Sequence, residues 1–418
     1  MLELFAIRGQ LAVTVFAHAT LAAVTWTATL LAAVCAARAQ SPEARSSAER
    51  WWSHARALSP WTTLTACLVT AQALVFWHPT LLVAAPVLGT FLFTHLAADF
   101  ARTLLLRRHV VLPDPGVLRL VVGAGWMTGA AAVLGLSWLA YPAGAVIDAE
   151  RANLEVSILA AATSGYGWLR VAQLSAGALA VGSAFFMLGA ARRREPSSLS
   201  LTTLVLVVTL TLHAALSAAH VRSVGQHEPV KLAAMTALWK TRPAAPLELG
   251  AWPFDFVEKS KPGIRYKGVL STWVHGQKQA EVEGLLATPM ENRPPVLAMY
   301  GLFQSNLALS ALAWLTAMIG WRAPKTGTLS RWWPALVVTP LVTLLWLTGW
   351  LMSELGRSPW TIRGALRVGD AVWLPYGMAP TALFWVGGSL LAVVMAVRQS
   401  RRVAPVAPPS PILSADAD

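Results

Sequence analysis

Apolar runs of spanning length recur along the chain, at roughly 9–36, 59–77, 80–101, 117–142, 168–190, 199–221, 295–320, 332–354 and 372–397. A helix rising about 1.5 Å per residue crosses a hydrocarbon core of roughly 30 Å in about twenty residues. The pattern predicts an all-α polytopic membrane protein with about nine transmembrane helices. The stretch 157–190 exceeds one span and contains Arg170, so its first part reads as an interfacial lead-in. From 223 to 293 the chain turns polar, broken by Pro229, Pro243, Pro246, Pro253, Pro262 and Pro289. Within it, 231–242 reads as a short helix ended by Pro243, since the residue before proline disfavours the helical region. The expected organisation is helices one to six in 1–222, an outer segment in 223–293, helices seven to nine in 294–398, and a disordered tail in 399–418.

Composition agrees with this reading: 56% of residues are apolar, 13% are charged, and mean hydropathy is +0.54. A net charge of +13 raises the question of a polyanionic partner, but the placement of the cations answers it. Seventeen lie in alternate short connections: Arg38, Arg45, Arg50, Arg56; Arg102, Arg107, Arg108, Arg119; Arg192, Arg193, Arg194; Arg322, Lys325, Arg331; Arg398, Arg401, Arg402. The opposite connections, leaving out the long segment, hold five: Arg8, Arg151, Arg357, Arg363 and Arg367. Short basic loops stay inside, so the N-terminus and the long segment are expected outside and the C-terminus inside. The charge is thus a topology signal, and nucleic acid drops out as a partner. Cys35 and Cys67 lie in predicted helices without CxxC spacing, which argues against a disulfide framework, a zinc site or c-type haem attachment. The first apolar run is too long for a signal peptide and its basic cluster follows it, so it reads as a retained helix.

Candidate chemistry begins where a carboxylate ends an apolar helix, in Gly349-Trp350-Leu351-Met352-Ser353-Glu354-Leu355-Gly356-Arg357-Ser358-Pro359-Trp360. Trp346, Trp350 and Glu354 recur at i, i+4 and i+8, and Arg357 follows three residues on, so all four lie near one helical stripe. An ionisable group at membrane depth is a functional-site candidate. The bland alternatives are an interfacial Glu354–Arg357 pair and a tryptophan belt. In the first helix, His18 follows Gln10-Leu11-Ala12-Val13-Thr14-Val15-Phe16-Ala17 and sits near mid-bilayer. It is either a ligand or a histidine hydrogen-bonded to a neighbouring helix.

These motifs resemble the large, haem-bearing subunit I of cytochrome bd-type quinol oxidases, of which the chain looks like a diverged paralogue. The resemblance implies that Glu354 and His18 are haem-iron ligands, with Trp350 and Arg357 beside the haems. It also implies a quinol loop in the outer segment, with its lysine at Lys231 and its tryptophan at Trp239. Haem of b or d type, quinol, lipid and a bacterial inner membrane follow as expectations of the same resemblance.

Several positions depart from the family pattern. The family's fifth-helix axial histidine falls at Gln173, and no histidine occurs between His109 and His213. Its seventh-helix methionine partner matches Met299 in one register and Leu302 in another, and a lone thioether is a weak iron ligand. That haem is expected to be absent. The loop glutamate five residues after the lysine is Thr236, leaving Lys231 without a carboxylate companion. No glutamate occurs between Glu49 and Glu150, where the third helix should carry two. His95 and Asp99 stand there instead and read as polar residues reaching water near the inner end.

Two functions compete. In the first, the chain is a structural partner packed against an intact haem-bearing homologue in the place of the usual small subunit, with a small accessory subunit as a further partner. In the second, it is a catalytic subunit with a divergent haem set using His18 and Glu354. An unrelated transporter is the weakest reading, for want of paired broken helices.

Overall fold

The computed structural model describes residues 2–38, 41–148, 153–254, 257–322, 328–373 and 379–403. In chain order the helices are α1 (Leu2–Ala37), α2 (Pro42–Phe76), α3 (His78–Val83), α4 (Thr90–Arg108), α5 (Pro115–Ala140), α6 (Ile158–Thr163), α7 (Gly165–Arg193) and α8 (Pro196–His227). They continue with α9 (Pro229–Thr236), α10 (Val269–His275), α11 (Val296–Arg322), α12 (Thr328–Leu355) and α13 (Ala379–Arg401). Eight of these are long and apolar enough to cross a membrane, among the described residues: α1, α2, α5, α7, α8, α11, α12 and α13. The expected run 80–101 is instead composite, with α3, a π-helical turn at Ala85–Gly89 and α4 in series. Polar residues at His95, Asp99 and Arg102 hold α4 below the hydropathy of a simple span. The lead-in expected before the fifth run is α6, separated from α7 by the capping residue Ser164.

Two expected boundaries move. Helix α2 begins far ahead of the apolar run, capped by Ser41 and started by Pro42. Its polar first half buries Trp51, Trp52, Ala55 and Leu58 at helical spacing, a face that an unbroken apolar run does not report. Helix α13 continues through Arg401, past the expected start of the tail at 399, and residues 404–418 lie outside those described.

Helix α1 packs against α2, α5, α7 and α13, while α7 turns its other faces to α8 and α12. The small residues 176–182, suited by sequence to a partner's surface, serve the chain's own packing. A Cβ at Gly182 would fall 2.1 Å from Thr27 Oγ1 on α1, and one at Gly177 would lie 3.0 Å from the Trp346 ring on α12. The basic connections gather at one end of the bundle. Arg50 pairs with Glu195 at 3.0 Å, Arg56 donates to the carbonyls of Leu106 and Val110, and His54 meets Ser400 at 2.9 Å.

Between α2, α4 and α5 runs a polar seam. Asp99 and Arg102 form an ion pair with both side chains fully buried, and Thr63 donates to Asp99 at 2.5 Å. His95 donates from Nδ1 to the Thr128 carbonyl at 2.9 Å. The expectation that His95 and Asp99 reach water is therefore overturned. Arg102, counted above among the inner connections, satisfies Asp99 inside the protein.

At the opposite end, α9 and the outer segment form a lid over the bundle. Helix α9 ends at Thr236 rather than at Pro243, because Ala237 takes a left-handed conformation (φ 51°) and its N–H returns to the Ala233 and Ala234 carbonyls. Pro243 sits instead in a short antiparallel pair, Arg242–Pro243 with Glu281–Val282. Two further pairs follow, Leu247–Leu249 with Ile264–Tyr266 and Trp252–Phe254 with Lys259–Lys261. Their core joins Leu232, Met235 and Leu238 to Leu270, Val274 and Leu285, and to Met299 and Phe303 of α11.

Two outcomes test this architecture. Reporter fusions after Arg194 and near Lys267 are expected on opposite sides of the membrane, and the same side for both would reject the scheme. Asp99→Ala strands a buried guanidinium and should cost about 3–5 kcal/mol in detergent unfolding, whereas an Asp99→Leu/Arg102→Met double replacement should lie near wild type.

Candidate functional site

The lid-side ends of α7, α8 and α9 converge on Glu228, the residue joining the last two. Its side chain is inaccessible, and Oε1 accepts from the Tyr166 hydroxyl and from Lys231 Nζ at 3.1 Å. Arg363, from the connection after α12, brings Nη1 within 3.5 Å of Oε2. Burial lowers the pKa of the Lys231 ammonium, and the Glu228 carboxylate opposes that shift. Lys231 therefore does have a carboxylate companion, three residues before it rather than five after. Thr236 turns its hydroxyl to the Leu232 carbonyl at 2.8 Å and plays no part in the cluster.

Below this cluster, a cavity of about 530 Å3 runs between α7, α8, α11 and α12. This falls within the roughly 300–1,000 Å3 of small-molecule sites. Its walls are mostly apolar, and no Asp or Glu lines it among the described residues. Arg170 and Lys231 stand at its outer end, where Arg170 Nη2 donates to Ser353 Oγ and Arg170 Nη1 is buried without a hydrogen-bond partner. Helix α8 presents His213 and His220 to the cavity, two turns apart on one face. His213 Nδ1 lies 3.1 Å from the Gln173 carbonyl, and the Gln173 side chain donates to Ser217 at 3.0 Å.

The residues singled out by sequence are dispersed. Trp350 lines the cavity with its indole N–H buried and unpaired. Glu354 is half-buried and held by Arg357, whose Nη1 also donates to the Thr361 carbonyl at 3.1 Å. His18 Nδ1 lies 3.1 Å from Thr65 Oγ1. The Thr65 hydroxyl also has the Trp61 and Thr62 carbonyls within reach, at 3.0 and 2.8 Å. The His95 ring packs edge-to-face on His18 with centroids 5.2 Å apart. Met299 is fully buried in the lid core and is absent from the cavity lining. Trp239 donates to Ser260 at 2.8 Å within the same lid.

Sequence reasoning passed over Glu228, Tyr166, Arg170, His213 and His220. The two histidines, seven apart on one predicted helix, were open to detection by their common face. Glu228 was masked by the proline after it, which ends one helix and starts the next.

Comparisons with known proteins agree with this fold. The family model for cytochrome bd terminal oxidase subunit I matches residues 116–404, more than half of the chain. A putative cytochrome bd menaquinol oxidase subunit I from Bacillus subtilis is 31% identical over 152 residues, covering 35% of this chain and 34% of that protein. A cytochrome bd ubiquinol oxidase subunit 1 from the same organism is 24% identical over 266 residues, covering 56% and 55%. The matches thus span about a third to a half of these relatives. The bd oxidase structure from Geobacillus thermodenitrificans superposes with a TM-score of 0.84 over 96% of this chain and 98% of that one, at 18% identity, a likeness of fold. By the span of the family match, this chain belongs to the cytochrome bd terminal oxidase subunit I family.

Proposed function

We propose that this chain is a non-catalytic subunit of a bd-type quinol:oxygen oxidoreductase, packed against an intact haem-bearing homologue in a bacterial inner membrane. In this arrangement the N-terminus and the lid face outward. The observation that carries the reading is the Asp99–Arg102–Thr63 seam. Where the family resemblance calls for third-helix glutamates, the one carboxylate of α4 is committed to a fully buried ion pair. A carboxylate held in that way is a poor proton relay, because giving up its charge strands the guanidinium. Glu354 supports the same view, since Arg357 engages the carboxylate that would otherwise meet iron. At His18 the Thr65 hydroxyl meets Nδ1, the His95 ring packs on the imidazole, and the cavity does not reach it. These two positions do not fit a haem as arranged. Loss of reactive groups with retention of the scaffold suits a subunit that works by packing.

A second reading, in which the chain oxidises quinol itself, is favoured by one observation. Lys231 lines the cavity and pairs with the Glu228 carboxylate buried behind it, an ammonium–carboxylate pairing of the kind that acid–base chemistry on a quinol hydroxyl requires.

The isolated subunit, given reduced quinol, is expected to consume no oxygen above background, while the assembled complex does. Equal rates for the two would overturn the partner reading. Glu228→Gln strands the Lys231 ammonium and is expected to weaken the lid under either reading, so turnover is scored per assembled complex: it stays within a few-fold if the chain is a partner, and falls about 10²–10⁴-fold if the carboxylate is a working base.

A further inference from the structure

We propose that the hairpin 247–266 is a membrane-surface anchor for the lid, laying an exposed face of aromatic and lysine side chains on anionic lipid headgroups around the lid-side end of α11. The inference goes beyond the partner reading and does not depend on it, because it concerns a surface of this chain alone.

Side chains directly opposite each other in an antiparallel pair share a face. In the ribbon of Trp252–Phe254 and Lys259–Lys261, Trp252 stands opposite Lys261 and Phe254 opposite Lys259, and all four are exposed. Between them Pro253 stands opposite Ser260 and turns inward, where Ser260 accepts from the Trp239 indole at 2.8 Å. One side of the ribbon therefore rests on the lid, and the other puts two aromatic rings and two ammonium groups into the open. Trp252 is 57% exposed and Phe254 39%, and Val257, Ile264 and Tyr266 extend the apolar surface along the hairpin. A two-stranded ribbon is marginal in water on its own, so its open face gains from cover.

Charge supplies a second, independent observation. The described acids of the hairpin are already held by arginines, Glu248 by Arg265 at 2.6 Å and Glu258 by Arg293 at 2.5 Å. Lys259, Lys261 and Lys267 pair with no carboxylate among the described residues. The open face is thus both apolar and cationic, and it is complementary to an anionic surface with apolar depth beneath it.

Depth is set by α11. The Tyr300 hydroxyl donates to the Glu248 carbonyl at 3.0 Å and accepts from the Ala251 N–H at 2.7 Å, and Gln304 donates to the same carbonyl at 3.4 Å. Both side chains stand in the first turns of a helix long and apolar enough to span, roughly 6 and 12 Å from its start at Val296. The base of the hairpin is therefore fastened where α11 leaves the hydrocarbon, at headgroup level. Aromatic rings beside lysines are the composition of a membrane interface, where the ring sits among headgroups and the flexible lysine stem reaches phosphate. A protein partner is a poorer match, since lysine is depleted at the centres of protein interfaces.

The test uses the full chain in lipid nanodiscs, with Cys35→Ala, Cys67→Ala and an environment-sensitive fluorophore on Val257→Cys, which leaves both aromatic–lysine pairs in place. Discs of phosphatidylcholine are compared with discs that also hold phosphatidylglycerol. In the anionic discs the label is expected to shift to the blue and to become protected from acrylamide. The ratio of shifted to unshifted label should fall roughly fivefold for each of Lys259→Gln and Lys261→Gln, and high salt should lower it as well. Both lysines are exposed, so thermal unfolding of these variants in detergent should match the parent. Equal emission in the two lipids, or a shift that survives the double substitution, overturns the proposal. Protection that appears only when the homologous subunit is bound also overturns it and assigns the face to a protein. The isolated chain carries the test, so failure of the partner reading and failure of this one are distinguishable.

Discussion

Glu228 has no access to solvent, yet it accepts from Tyr166 on α7, pairs with Lys231 on α9 and faces Arg363 from the connection after α12. A lone carboxylate in that position would be too costly to keep ionised, and each of its partners would be too costly without it. The lid, the α7–α8 hairpin and the segment after α12 therefore meet at one place, held by one carboxylate between an ammonium and a guanidinium. Because Lys231 and Arg170 stand at the cavity mouth, this arrangement also sets what the cavity presents to a ligand. Lys231 arrives neutralised by its carboxylate, while Arg170 arrives with a free donor.

The same rule operates at the other polar place in the bundle with a different result. Asp99 is engaged by both Arg102 and Thr63 away from solvent, while Nε and Nη1 of Arg102 are buried without a hydrogen-bond partner among the described residues. His213 likewise satisfies only one ring nitrogen, but it lines the cavity. The two places thus differ in what they border: the seam lies within helix packing, and the histidine faces open space. The functional readings follow that division: the α4 seam reads as structure, and the cavity wall reads as a site.

Much of the architecture was legible from local pattern. Runs of about twenty apolar residues predicted α1, α5, α7, α8, α11, α12 and α13, because in a membrane each backbone must satisfy its own hydrogen bonds and hydrophobic length alone reports the span. The gathering of Arg50, Arg56 and Arg193 at one end also follows the charge pattern. The first half of α2 was not legible, since Trp51 and Trp52 are buried behind a face bearing Glu49, Arg50 and Arg56. Nor was the end of α9, where Ala237, a residue with no special liking for positive φ, turns the chain before Pro243 is reached.

For the candidate site the division is sharper. The motif around Glu354 and the lysine at 231 are strings of neighbours in the chain, and a string is enough to place the protein in its family. Which donor meets which acceptor is a matter of helices lying side by side. Sequence alone left Lys231 without a carboxylate, Asp99 reaching for water and position 173 vacant of its histidine. Helix packing gave the lysine Glu228, gave Asp99 a buried arginine, and laid His213 across the Gln173 carbonyl. Hydropathy and spacing act along one helix at a time, so they determine spans and family. The pairing of buried charges depends on distances between helices, so only the tertiary structure decides it.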